Sequence, residues 1–292
     1  MCPVPPSWLC AVPASRRRGR RGPWCVGLPL AAMSLLLAGL ASSAAAEVLR
    51  IGGTGAGLGA LQRLSDAWAR QQPGATVVLL PSLGSSGGIK AVRAGALSLA
   101  VSGRAPDSVE LAAGAVAVEL GRTPFVIAVG PQVKTQGLSL SQLAALLSGQ
   151  ALNWPDGQPA RPVLRPLGDS DTDALRAMGA AMPAAVAAAA QRPGLAVAMT
   201  DQDCADRIAA LPGGFGPSTL ALMLSESRPL RALAIDGEPA SLSALAQGRY
   251  AHARTLWLVT GAHASLPVQQ LLAYARSAAG RAVLRDAGVL AP

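Results

Sequence analysis

Residues 81–92 read PSLGSSGGIKAV, and they join two unlike patterns. Upstream, Thr76 to Leu80 is an unbroken β-branched and leucine run, the pattern expected of a strand buried on both faces. Downstream, Ile89 opens a helical pattern. Between them, Gly84-Ser85-Ser86-Gly87-Gly88 puts permissive backbone and small hydroxyls at a helix start. A helix start carries unpaired N–H groups and the positive end of the dipole, so such a turn suits an anion. Glycine lets the main chain approach a ligand, and hydroxyls donate without needing a countercharge.

Two further strand-to-helix junctions share this chemistry, Gly52-Gly53-Thr54-Gly55-Ala56-Gly57-Leu58-Gly59 and Gly168-Asp169-Ser170-Asp171-Thr172. Taken singly, each also reads as helix capping: Ser86 and Ser170 are good N-cap types, and Ser170 with Asp173 fits a variant of the capping box. Three together exceed that reading, because caps do not require glycine clusters. The first junction matches the dinucleotide fingerprint at Gly55, Gly57 and Ala60, but that motif needs a carboxylate about 20 residues on to hold a ribose. Val77 to Ser82 supplies none, which excludes it.

The rest of the chain alternates short strand-like runs with helical patterns, the mark of α/β organisation with mostly parallel strands. Strands are expected at 48–51, 97–101, 125–129 and 163–167, and helices at 58–71, 138–147, from 172, and at 266–279. Leu220–Leu224 and Leu256–Thr260 are further apolar runs. Ala184 to Ala190 is nearly all alanine, a good helix former with little side chain to pack, so an exposed or lightly packed helix is expected.

The first 46 residues differ from the rest. Arg16, Arg17, Arg18, Arg20 and Arg21 precede an apolar stretch from Val26 to Leu40, and small residues follow to Ala46. This is the three-part layout of a secretory signal, with cleavage expected after Ala46. The rival reading, an uncleaved anchor, is disfavoured because Gly27, Pro29 and Gly39 interrupt a core shorter than the roughly 20 residues a bilayer span needs. Without these five arginines the formal charge falls from +9 to +4, and no basic stripe with interleaved aromatics remains to suggest nucleic acid. Only Cys204 follows the leader, so no internal disulfide is expected; with two histidines in all, neither is a metal site or a cofactor.

Four further segments carry a family resemblance: Leu147 to Trp154 (LSGQALNW), Pro212 to Gly216 (PGGFG), Ala234 to Gly237 (AIDG) and Gly248 to Tyr250 (GRY). With GSSGGIK at 84–90, in this order and spacing, they make residues 48–290 resemble the periplasmic phosphate-binding proteins (PstS-like) of ABC transporters. The resemblance implies a two-lobed type II periplasmic-binding-protein fold, each lobe a mostly parallel sheet flanked by helices, with the ligand cleft between. Lobe 1 would comprise 47–126 with about 262–292, and lobe 2 about 127–261. It implies a periplasmic, monomeric, non-enzymatic protein that captures phosphate or a related tetrahedral oxyanion for a membrane ABC permease. A sensor or accessory protein with a drifted cleft is the alternative; a phosphatase-like enzyme fits less well, since His252 and His263 lie in late segments away from the glycine loops, where a histidine is more often a surface residue than a base.

The implied ligand set is Thr54, Gly57, Leu58, Ser85, Ser86, Gly87, Arg104, Arg165, Ser170, Asp171 and Thr172. Several depart from the family pattern. Gly57 stands where Thr or Ser is usual, so either Thr54 substitutes or the amides near Gly57 and Leu58 serve. Arg104 stands where some members carry Asp, Arg165 is one residue out of register, and Asp171 replaces a glycine. Asp171 either accepts the proton of a protonated oxyanion, with Arg104 balancing its charge, or faces solvent and aids the helix start.

Overall fold

A computed structural model describes residues 47–292; the expected leader, 1–46, lies outside the described residues. The first part of the chain is β1 (Val48–Gly53), α1 (Gly55–Ala69), β2 (Thr76–Leu79), α2 (Gly84–Arg93), β3 (Leu99–Ser102) and α3 (Ser108–Ala112), leading into the long β4 (Val116–Val129). Next come β5 (Gly137–Leu138), α4 (Leu140–Ser148), β6 (Arg161–Leu164), α5 (Ser170–Arg176), α6 (Met182–Gln191), β7 (Ala196–Val197), α7 (Asp201–Ala210), β8 (Gly214–Thr219) and α8 (Leu220–Ser225). The chain finishes with β9 (Arg231–Ala232), β10 (Ala234–Ile235), α9 (Leu242–Ala246), β11 (Ala253–Thr260), α10 (Leu266–Arg276) and α11 (Ala278–Asp286).

Among the described residues, nine strands form one sheet in the order β2-β1-β3-β11-β4-β8-β6-β7, with β9 also on β4; β5 and β10 pair separately. Both flanks are parallel, β1 with β2 and β3, and β6 with β7 and β8. The centre is antiparallel: β11 lies against β3 and β4, and β4 against β8. β11 precedes the expected lobe boundary near residue 261 and pairs within the β1 side of the sheet.

β4 joins the two sides. Its first part, to Pro124, pairs with β11 and its last, from Phe125, with β8. The register slips between Leu256 and Trp257, opposite Gly121 at φ 151, a bulge that lets one strand change direction between two cores. Phe125, Ile127 and Val129 enter one core with Trp154, Phe215 and Tyr250, whereas Val126 and Ala128 enter another on the opposite face with Val163, Cys204 and Ile208. Burial on both faces explains why 125–129 is apolar without alternation. The other side of the molecule has its own core of Leu49, Ile51, Leu61, Trp68, Leu258 and Leu271.

Two expectations change, at Thr76–Leu80 and at the alanine-rich segment, and the unassigned run at Leu220–Leu224 takes its place as a helix. The run at Thr76–Leu80 is not buried on both faces: β2 is the edge strand, and Val78 is 39% exposed. Leu220–Leu224 is helical, begun by Thr219, whose hydroxyl accepts from Leu222 N–H. The alanine-rich α6 does pack, burying Met182, Ala185, Val186 and Ala189 at helical spacing. The LSGQALNW and PGGFG segments meet: Trp154 Nε1 donates to the Gly213 carbonyl at 3.1 Å, and its ring sits edge-on to Phe215 at 5.1 Å.

Gly53 ends β1 at φ 123, and a Cβ there would lie 2.0 Å from the Val101 carbonyl oxygen. Gly53→Ala therefore costs on the order of 3 kcal/mol in urea unfolding, or prevents folding. Gly74→Ala, at φ 86 with nothing within 4 Å, costs about 1 kcal/mol.

Candidate functional site

The second glycine–serine junction is built as a close-packed turn. Gly84 takes φ 68 in open space, and Gly88 lies on the end of β1, where a Cβ would meet Gly53 Cα at 2.8 Å. Ser85 is buried, and its hydroxyl accepts from Gly103 N–H at 2.9 Å, which ties α2 to the end of β3. Ser86 stays exposed and accepts from Arg104 Nη2 at 2.9 Å.

Ser85, Ser86, Gly87 and Arg104 form one wall of a cleft of about 360 Å³, with Ser82 and Leu83 beside them. The opposite wall holds Asp169, Ser170 and Asp173 from the third junction, and Met199 and Thr200 ahead of α7. So five of the eleven expected residues face one space, and the remaining six do not.

The first junction does not reach the cleft. Gly57 N–H bonds Thr54 O at 3.3 Å, and a Cβ on Gly57 would meet Leu256 and Val101 at 2.9 Å. Gly55 and Gly59 are small for a related reason: a Cβ would strike Asp201 and Gln202, or Ser225 and Glu226, which belong to α7 and α8. These glycines let α1 approach other elements rather than a ligand. Leu58 belongs to the core and to an adjoining groove.

The arginines are likewise committed. Arg104 grips both oxygens of Glu110, at 2.7 and 2.8 Å, and this holds the Glu110 carboxyl below its usual range. Arg104 therefore does not balance Asp171. Arg165, buried, donates to Ala198 O and to Asp169, both at 2.8 Å. Asp169 in turn accepts from Asp171 N–H at 2.8 Å and starts α5. Thr172 Oγ1 donates to Pro166 O at 2.8 Å, which closes the turn.

Asp171 neither lines the cleft nor faces solvent. Its side chain is 2% exposed, 3.2 Å from Arg254 Nη2. Burial, and then the neighbouring Asp201, push its carboxyl well above the ordinary range, and Arg254 only partly offsets them. Arg254 also donates to Ser170 through its carbonyl and, at 2.6 Å, its hydroxyl. Thr54 Oγ1 donates to Asp201 at 3.3 Å. Arg254 and Asp201 were not anticipated from sequence. An arginine inside the otherwise apolar ARTLWLVT run and the Thr200-x-x-Asp203 cap were the available signals.

A family model described as a PBP superfamily domain matches residues 40–280. Solved structures with the same fold include a Clostridium perfringens protein assigned as a phosphate ABC transporter substrate-binding protein, with bound phosphate. It has 16% identity and TM-score 0.72, over 84% of this chain and 100% of that one. An ABC-type phosphate transport receptor from Vibrio cholerae has 15% identity and TM-score 0.58, over 84% and 100%. A phosphate-binding protein from Stenotrophomonas maltophilia has 15% identity and TM-score 0.62, over 84% and 91%. A search of curated proteins finds no match.

The fold favours the neutral form of Asp171, so its contribution to stability is complete at acid pH and is lost as pH rises through the raised folded value. Asp171→Asn should flatten this dependence. In thermal unfolding from pH 5 to 9 the native protein loses stability with rising pH, and the variant exceeds it at pH 9 by a few degrees, the shift expected of about 1 kcal/mol.

Proposed function

Because this chain belongs to the PBP superfamily, we propose that it is an exported solute-binding protein that captures phosphate or a related tetrahedral oxyanion for an ABC-type permease. The observation that carries this reading is the cleft, where Ser85, Ser86 and the α2 start stand across from Ser170 and the α7 start. The donors are neutral. The arginines there are already engaged, Arg104 with Glu110, Arg165 with Asp169, Arg176 with Asp173, and Arg254 with the Ser170 carbonyl and hydroxyl beside Asp171. An anion would be held by hydroxyls and helix-start amides, which stabilise charge without an opposing ion.

Asp169 and Asp173 place carboxylates on the same wall. Both are already engaged, Asp169 by Arg165 and the Asp171 N–H and Asp173 by Arg176, so they add little net charge to that wall. The phosphate-bound Clostridium perfringens relative supports the choice of ligand. The two walls come from the two sides of the sheet, which Arg254 with Ser170 and Thr54 with Asp201 already bridge, so a ligand in the cleft would touch both sides. Binding without catalysis suits a cleft whose lining includes neither histidine nor cysteine. The basic and apolar leader fits export to the periplasm, where a monomer would meet the permease.

Calorimetry and thermal shift with phosphate, arsenate, sulfate and molybdate test this. Phosphate at about 100-fold over Kd should add roughly 2.7 kcal/mol of stability. Ser86→Ala should weaken phosphate about fivefold or more. Stabilisation by another anion with none from phosphate would refute the choice of ligand. The exported protein should have the intact mass of a chain starting at Glu47.

A further inference from the structure

The cleft does not end at its serines. Ser82 and Thr200 also line a second cavity of about 380 Å³, walled by Leu58, Leu79, Leu80 and Pro81. Between Gln202 and Glu226, which also line it, Gln202 Nε2 donates to the Glu226 carboxylate at 2.8 Å, and among the described residues no cationic side chain lines the cavity. β2 produces this surface: as the edge strand it leaves Leu79 and the residues after it only partly covered. Where the cleft opens, Leu83 is 45% and Met199 69% exposed, one from each side.

This space is not a gap that closure would remove. The two sides already touch through Arg254 with Ser170 and Asp171, and through Thr54 with Asp201. A bare tetrahedral oxyanion fills roughly the volume of two or three waters, at ~30 Å³ each. Cavities upward of roughly 300 Å³ hold ligands with an organic body.

We propose that the ligand is an oxyanion bearing a short apolar substituent, a phosphonate or phosphate monoester. The headgroup lies on Ser85, Ser86 and Ser170, and the substituent runs past Ser82 along Leu79, Leu80 and Pro81. This rests on the oxyanion reading above and names the ligand class more narrowly. Inorganic phosphate uses the polar half alone. The apolar half contributes only when a substituent fills it, through loss of water from carbon surface.

Calorimetric titration of the purified protein with inorganic phosphate, methylphosphonate and phenylphosphonate separates the two halves. Phenylphosphonate should bind about tenfold more tightly than methylphosphonate, the factor expected from burying roughly 60 Å² of apolar surface. Pro81→Glu, an exposed position that sets a charge in the groove, should abolish that difference, and Leu79→Ser should reduce it. Equal affinity for the two phosphonates overturns the inference, as does binding of phosphate alone or a Pro81→Glu protein that keeps the preference. In those cases the oxyanion reading stands. If phosphate, methylphosphonate and phenylphosphonate all fail to bind, both readings fall.

Discussion

The contact between Arg254 and the start of α5 is the constraint around which the middle of this molecule is arranged. Arg254 projects from β11 and reaches Ser170 and Asp171 on an element of the other side. A buried guanidinium needs a countercharge and filled hydrogen bonds, and a buried carboxylate needs the same. Asp171 answers the first need imperfectly, because Asp201 stands beside it and raises its proton affinity. Arg254 also crowds its surroundings: a Cβ on Gly103 would lie 2.6 Å from Nη2, so a larger residue in the turn after β3 would have to displace the guanidinium from Ser170.

Glycine serves several separate purposes in this fold. At Gly84 it supplies a positive φ in open space. At Gly57 it lets α1 rest on the side chains of the sheet, and at Gly55 and Gly59 it lets the same helix meet α7 and α8. The turn around Ser85 and Ser86, and Gly168 with Ser170 across from it, combine glycine with hydroxyls that face an open cleft. The similarity of the three junctions as strings therefore conceals different physical roles.

Around the cleft, charges cancel locally and neutral groups are left to meet the ligand. Arg104 and Arg165 each hold a carboxylate of their own, and the hydroxyls of Ser86 and Ser170 remain at the surface of the cleft. The adjoining apolar groove follows from the edge position of β2, which has one strand partner rather than two. Selectivity in such a site divides between a polar part that reads the headgroup and an apolar part that reads what is attached to it.

Local pattern alone settled the α/β class, the strand-to-helix junctions and the helix start at Ser139, because periodicity and capping act over a few residues; the cap of α5 is Asp169 rather than Ser170. The family resemblance extended this to the two-sided architecture, and Ser85, Ser86, Gly87, Arg104 and Ser170 do line one cleft. What sequence could not determine depended on distant partners. Whether Thr76–Leu80 was a central or an edge strand required knowing its neighbours, and the antiparallel centre required β11, which arrives more than 120 residues after β4 begins. Asp171 could have faced ligand or solvent; tertiary structure placed it instead against Arg254 and Asp201, since the cost of a buried charge depends on which groups the fold brings beside it.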